Sequence, residues 1–369
     1  MPWTEVTRLS SAARLRTGAG YAFGSGWISG VLSVVFAGLA LAGVTACGGS
    51  DNKSDTATAT ATAAQNTDEA AAQASNVKVA FSAPAADHGW LKALSDNAKS
   101  KAEELGIDMT VNDSATTSAE QADQIETLIQ DKPDVLVVLP NEGEPLTPVA
   151  QKAMDQGIQV INIDREFSAA SAYHTLIAGD NYGIGVQAGN YFADQLKCSG
   201  NVVEIQGIAG ISVTEQRSQG FADQLKKRCG DGIKIVAKQP ADFVPDKGLS
   251  VMENILQKNK DIDAVYTHDD DMAEGVVAAI QNAGREKEMF LTGAGGSKAA
   301  MEQIKKGGLY RATFLYNPSM SASAIRMARK IVRGEGFEDL TEPEVPQKIT
   351  VPATTVTKEN VDDVQELGF

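Results

Sequence analysis

Short apolar runs alternating with longer amphipathic stretches restrict the fold of this chain more than any other feature. The runs fall at 77–81, 135–139, 160–163, 202–205, 264–266 and 289–291, and helical spacing recurs at 90–105, 118–130, 185–197, 214–228, 247–258 and 271–283. A run without polar alternation reads as a strand buried on both faces, which places helices on either side of a parallel sheet. Strand and helix in turn therefore predict an α/β doubly wound architecture. Roughly eleven strands are more than one open sheet of this kind holds comfortably, so the expectation is two Rossmann-like lobes with parallel sheets.

That architecture says where to look for chemistry, because ligands of open α/β sheets sit outside the carboxyl ends of the strands. The residues there are polar or aromatic. Asp87-His88-Gly89-Trp90 follows the first run, Pro140-Asn141-Glu142 the second and Asp164-Arg165-Glu166-Phe167 the third. The later part of the chain adds Gln206 through Arg217, Pro240-Ala241-Asp242-Phe243, His268-Asp269-Asp270-Asp271 and Gly293-Ala294-Gly295-Gly296-Ser297.

Ahead of the alternating region lies an address. Arg8, Arg14 and Arg16 precede an apolar, Gly- and Ala-rich stretch, which is the pattern of a secretory signal over residues 1–46. Val44-Thr45-Ala46-Cys47 resembles the lipobox of bacterial lipoproteins, so Cys47 is expected to carry lipid and to hold the protein at the outer face of the cell membrane. Residues 47–76 alternate Ala and Thr, lack aromatics and read as a disordered tether. Such a tether of about 29 residues spans roughly 30 Å.

Composition removes several functions. With 33 basic against 48 acidic residues and a net charge of −15, the chain is not expected to bind nucleic acid, whose phosphates would repel it. Only three His and three Cys are available for metal or thiol chemistry, and no metal or cofactor is expected. The acidic run at 268–271 lacks the alternating ligands and Gly of a calcium loop. Gly293 to Lys298 fails the phosphate-loop pattern. Carboxylates facing a cleft can hydrolyse a glycoside, but nothing here assigns an acid and a nucleophile, so an enzyme is not expected. Cys198 and Cys229 each close a predicted helix beside one strand, and in an exported protein they are expected to form a disulfide. Closing about 31 residues is worth on the order of 3–4 kcal/mol in the chain-entropy view.

From about residue 77 to 357 the chain resembles the periplasmic sugar-binding proteins of the ribose-binding type, the receptor components of sugar ABC transporters. The segments that carry the resemblance are Val160-Ile161-Asn162-Ile163-Asp164-Arg165, Ile177-Ala178-Gly179-Asp180-Asn181, Val203 through Gly210, Arg217-Ser218-Gln219-Gly220-Phe221, Gln239 through Phe243, and Asp269-Asp270-Asp271-Met272-Ala273. It implies a type I periplasmic binding protein fold whose lobes are joined by three crossings, near 179–180, 316–317 and 350. The lobes would comprise residues 77–179 with 317–349, and 180–316 with 350–369.

The resemblance also implies site residues. Asp164 and Arg165 match the family's Asp-Arg pair, and a carboxylate with a guanidinium fork suits vicinal hydroxyls. Arg217 matches the second-lobe arginine, while Phe243 and Trp90 fall where aromatic rings stack on sugar. Asp269 and His88 stand where Asn is usual, Tyr316 replaces a hinge Gln, Leu139 an Asn, and Gly295 an Asp. Asp269 is the expected pocket residue of the acidic run, Asp271 the expected helix N-cap, and Asp270 hydrated or supporting. The implied function is capture of one monosaccharide or sugar alcohol by lobe closure and delivery to an ABC permease, the protein acting as a monomer. The competing expectation is a sugar-sensing receptor that signals to a sensor kinase without transport.

Overall fold

Two six-stranded sheets, each flanked by helices, organise the computed structural model, which describes residues 77–369. The expected signal, the lipidated Cys47 and the tether lie outside the described residues. The first sheet contains β1 (Lys78–Pro84), β2 (Asp108–Ala115), β3 (Val135–Val138), β4 (Gln159–Ile163), β5 (Thr175–Gly179) and β11 (Lys348–Val351), in the order β11-β5-β4-β3-β1-β2. The second contains β6 (Gly200–Gln206), β7 (Ile233–Pro240), β8 (Ala264–Thr267), β9 (Phe290–Thr292), β10 (Tyr310–Phe314) and β12 (Thr355–Thr357), in the order β12-β10-β9-β8-β6-β7. Both sheets therefore reverse strand order at the same place, between β1 and β3 and between β6 and β8, which are the switch points where such folds open a crevice.

Burial explains the strand assignments. All residues of β3 and β8 are buried, as an inner strand requires, whereas the edge strands β2 and β7 are half-buried or exposed apart from one buried residue at an end of each. The sheets are not wholly parallel as expected. β12 pairs antiparallel with β10, Thr313 opposite Val356, because a short return after the last crossing leaves no room for a crossover helix.

The chain passes between the sheets after β5, after β10 and after β11. The last passage differs from the expectation near Thr350. Thr350 and Val351 still pair with Ala178 and Gly179 in the first sheet, so the crossing falls over 352–354.

Helices α1 (Gly89–Leu105), α2 (Ser118–Gln130), α3 (Gly143–Asp155) and α9 (Met320–Arg333) belong with the first sheet. With the second lie α4 (Asn181–Leu196), α5 (Ser212–Cys229), α6 (Pro245–Lys258), α7 (Asp270–Asn282) and α8 (Lys298–Lys306). The contact between α4 and α5 matters for the site. A Cβ at Gly185 would stand 2.2 Å from the Arg217 carbonyl oxygen, and one at Gly220 would stand 2.2 Å from that of Tyr182. Small residues at this seam let the backbones approach and bring Asn181 within reach of Arg217. At the far ends of the two helices a disulfide joins Cys198 to Cys229, with Cα atoms 4.9 Å apart.

Candidate functional site

One cavity opens where the carboxyl ends of both sheets meet. Its lining from the first lobe is His88, Trp90, Asp164 and Arg165; Arg217, Phe243 and Asp269 face them from the second, and Tyr316 comes from the middle crossing. These are the eight residues expected from the sequence. Val213, Ala294 and Gly295 complete the wall.

Each side chain is aimed by its local backbone. Asp164 follows β4 with φ of 65°, and Phe243 follows β7 with φ of 67°. Left-handed conformations at residues other than glycine cost on the order of 1–3 kcal/mol and persist where surrounding structure enforces them. Here they turn a carboxylate and an aromatic ring into the crevice. Phe243 packs with Ile211 and Val213, and its ring lies so close to Gly207 that a Cβ there would approach within 2.0 Å. Asp269 caps α7, accepting from the Met272 N–H at 2.9 Å. That corrects the expectation for Asp271: the chain is already helical from Asp270, so the cap falls earlier. Asp270 is buried rather than hydrated, and accepts from Gly296 N–H, Ser297 N–H, Tyr310 Oη and Thr313 Oγ1, each at 2.7 Å.

The polar groups form a linked set. Tyr316 Oη donates to Asp164 Oδ1 and accepts from Asn181 Nδ2 at 3.3 Å. Asn181 Oδ1 in turn accepts from Arg217 Nε at 2.9 Å, and Arg217 Nη1 donates to the His268 carbonyl. The Arg217 guanidinium carbon stands 4.7 Å from the centre of the Tyr316 ring, a cation–π distance. Arg165 Nη1 donates to the Asn141 carbonyl at 2.6 Å. Its Nε is buried and has no hydrogen-bond partner among the described residues, although Asp164 Oδ2 lies 3.9 Å away.

The lobes touch around this set. The Trp90 N–H donates to Asp271 Oδ2 at 3.0 Å, and the Glu166 N–H reaches Ser212 Oγ at 3.4 Å. The Trp90 indole donates to the Tyr316 carbonyl at 2.7 Å and lies 5.4 Å from the Tyr316 ring, while the His88 ring stands 6.0 Å from that of Phe243.

Burial governs the charges. It pushes Asp269 up to about 7, with Asp271 and Asp270 adding to the rise and His88 opposing it. It also pushes His88 down, but the bond to Asp87 and the nearby Asp269 and Asp271 outweigh it and leave the imidazole above its ordinary value. Burial lowers the Arg165 guanidinium against the pull of Asp164 and Asp87. Tyr316 is raised well above its ordinary range, by burial and then by Asp164, so it remains a hydroxyl and a donor.

Sequence reasoning missed Asn181, which holds Arg217 and Tyr316 together, and the crossing bond made by Asp271. It also missed Glu204, a fully buried carboxylate in β6 that bonds His268 Nε2 at 3.1 Å and lies 3.4 Å from Lys238 Nζ. A Glu inside an otherwise apolar run was the available signal.

A cleft between two lobes, lined by charge-assisted donors and acceptors with aromatic walls, defines a binding protein for a small polar ligand. Residues 79–336 match the family described as periplasmic binding protein domain, and this chain belongs to that family. It is 31% identical over 258 residues to the ribose import binding protein of Bacillus subtilis, covering 70% of this chain and 82% of the relative. The galactofuranose-binding protein of Escherichia coli is 28% identical, covering 81% of this chain and 94% of that one. Among solved structures, the fructose-binding periplasmic domain of a hybrid two-component system superposes with a TM-score of 0.71 at 28% identity, covering 79% of this chain and 94% of that one. The relatives are binding proteins rather than enzymes, and the family places such domains outside the cytoplasm.

Proposed function

We propose that this protein is a membrane-tethered lipoprotein that captures one uncharged monosaccharide or sugar alcohol between its lobes and delivers it to an ABC permease. One observation carries the reading. Arg165 Nε is a buried donor without a partner, and Asp164 Oδ2 is an acceptor 3.9 Å from it. A single ligand hydroxyl spans that distance by donating to the carboxylate and accepting from the guanidinium, whereas a purely apolar ligand would leave both charges unserved. Arg217 and the Asp269 carboxylate oxygen not used in capping provide a similar pair from the other lobe. Trp90 and Phe243 cover apolar faces of the ligand, with His88 and Tyr316 closing the lining.

Contacts to both lobes exist only when the lobes are together, so a ligand making them favours the closed form and shifts the population towards it. The permease then reads the closed shape. Cys47 supplies the membrane contact through its lipid.

The test is a thermal-shift screen against sugars and polyols, followed by small-angle scattering with the best ligand. Stabilisation together with a smaller radius of gyration is expected; a tightly bound sugar that leaves the radius unchanged rejects closure. The second reading, a receptor for a sensor kinase, is favoured by the likeness to the two-component fructose-binding domain. Permease and ATPase genes beside the gene for this protein support transport, and a sensor kinase gene alone supports signalling.

A further inference from the structure

Arg217 lines the cavity, is buried, and makes no ion pair among the described residues. The other two basic groups of the lining each have a carboxylate: Arg165 lies 3.9 Å from Asp164, and His88 2.6 Å from Asp87. What holds Arg217 is neutral. Its Nε–H donates to Asn181 Oδ1 at 2.9 Å, its Nη1 donates to the His268 carbonyl, and its guanidinium carbon stands 4.7 Å from the centre of the Tyr316 ring. Of the two hydrogen bonds, only the one to Asn181 is made by a side chain. Bonds from two different nitrogens fix the plane of the guanidinium and leave Nη2 for a ligand.

Asn181 is itself fixed. It is buried in the first turn of α4, directly after the crossing at 179–180, and Asp180 caps that helix by accepting from the Gly183 N–H at 2.7 Å. The close seam between α4 and α5 brings it to Arg217 within one lobe, so their bond does not depend on closure. Its Nδ2 donates to the Tyr316 hydroxyl at 3.3 Å and to the Gly179 carbonyl at 3.4 Å. A guanidinium only donates, so the amide oxygen must face Arg217 and the amide NH2 must face Tyr316. The phenol then accepts from Asn181 and keeps its own proton for Asp164. Behind the ring, a Cβ at Gly179 would stand 2.1 Å from a Tyr316 carbon, so the backbone of the crossing closes that side. Asn181 does not line the cavity, yet it touches two residues that do.

We propose that Asn181 is a positioning residue of the binding site: its amide oxygen aims the Arg217 guanidinium at the ligand, and affinity depends on it through Arg217. This rests on the reading of the cavity as a carbohydrate site. An amide suits the place because it offers one acceptor and one donor together. Aspartate would keep the acceptor and lose the donor; leucine, close in size, would lose both.

The first readout needs no ligand. In nitrogen-15 spectra of the purified protein the Arg217 Nε–H signal, assigned by its loss in Arg217→Met, is expected to exchange slowly with water. Asn181→Asp should retain that signal, and in Asn181→Leu it should shift and exchange fast. For the second readout D-ribose, D-allose, D-fructose, D-galactose and myo-inositol are titrated by calorimetry, and the tightest binder is carried through the variants. Asn181→Leu is expected to weaken it about tenfold or more, the worth of one hydrogen bond to a charged group. Placed on top of Arg217→Met, the same substitution should cost less than about threefold further, because residues that act through one another are not additive. A purely structural role would cost the same in both backgrounds, and that outcome overturns the proposal. So does an Arg217 Nε–H signal that Asn181→Leu leaves unchanged, or an affinity that it leaves at the wild-type value. Should Asn181→Leu not fold, as judged by circular dichroism, Asn181→Ala is read in its place. A wild type that binds none of the five compounds counts against the carbohydrate reading, while the Nε–H signal still decides whether Asn181 holds Arg217, so the two failures are distinguished.

Discussion

Trp90 and Asp271 stand 181 residues apart in the chain and are joined by a 3.0 Å hydrogen bond from the main-chain N–H of one to the carboxylate of the other. The bond runs from the first turn of α1 to the first turn of α7, and so from one lobe to the other. Gly89 makes it sterically possible, because a Cβ there would stand 2.7 Å from Asp271 Oδ1. A charge-assisted bond at a helix start is favoured twice over, by the unpaired N–H and by the helix dipole.

Asp271→Ala removes a tie that exists only while the lobes touch. Ligand affinity is expected to fall by about 1.5–3 kcal/mol, the worth of a hydrogen bond to a charged group. The thermal midpoint without ligand should hardly move. Titration calorimetry beside a melting curve separates the two, and an equal loss in both would place the bond in the fold rather than in closure.

Asp164→Ala acts differently, because it removes the acceptor of the buried Tyr316 hydroxyl and the countercharge beside the buried Arg165 guanidinium. Removing one partner of a buried pair costs roughly 3–5 kcal/mol. Both melting temperature and ligand affinity should therefore drop, with affinity lost by more than about a hundredfold at that energy. Affinity within threefold of the wild type would show that the carboxylate does not face the ligand.

His268 makes stability sensitive to acid. Burial pushes the imidazole below its ordinary value, Arg217 and Lys238 push the same way, and the bond to Glu204 opposes them. Burial also pushes Glu204 up, but His268, Ser218 and Lys238 outweigh it and hold the carboxylate below its usual range. A histidine depressed in the folded state binds its proton sooner in the unfolded chain. Its contribution is therefore whole above the unfolded value of 6.5 and is lost as pH falls from there towards the folded value. His88, raised in the folded state, contributes with the opposite sign at higher pH. Asp269, raised to about 7 in the folded state, takes up its proton there before the unfolded chain does and adds stability as pH falls, opposing His268. The His268 contribution is therefore read as the difference between two melting curves from pH 8 to 5: relative to the wild type, His268→Gln should gain stability as pH falls below about 6.5. A variant with the wild-type slope would assign the acid sensitivity elsewhere.

The disulfide between Cys198 and Cys229 closes a separation of 31 residues, which corresponds to roughly 3–4 kcal/mol of chain entropy. Reduction should lower the melting temperature, and mass spectrometry after alkylation should show added mass only when reductant comes first. Equal masses with and without reductant would reject the bond.

The inner strands were legible because burial on both faces writes continuous apolar runs such as Val135-Leu136-Val137-Val138. Edge strands were harder. Asp108–Ala115 is half solvated and carries Asp, Thr, Asn and Ser, so no apolar run marks it. The cavity residues could be gathered from the sequence because a doubly wound sheet brings strand ends together whatever the loops contain, and because the family resemblance singled out particular residues there and Tyr316 at a crossing. Asn181 could not be found this way, since it opens a helix after a crossing and its task depends on an arginine 36 positions later. The acidic run shows the same limit. One residue caps, one is buried among four donors, and one crosses to the other lobe, yet all three are Asp.

Sequence alone determined the alternation of strand and helix, the two sheets and the set of side chains brought to one crevice. The alternation and the sheets follow from local periodicity and from a winding rule that holds for any such sheet, while the choice of side chains drew also on the family resemblance. Tertiary structure alone decided which of those side chains meet: Tyr316 with Asp164, Trp90 with Asp271, and Arg165 Nε left beside a carboxylate it does not bond. Pairing across the cleft depends on the relative placement of two lobes and on ångström-scale backbone approaches at Gly89, Gly179 and Gly185, and no spacing along the chain encodes a distance through space.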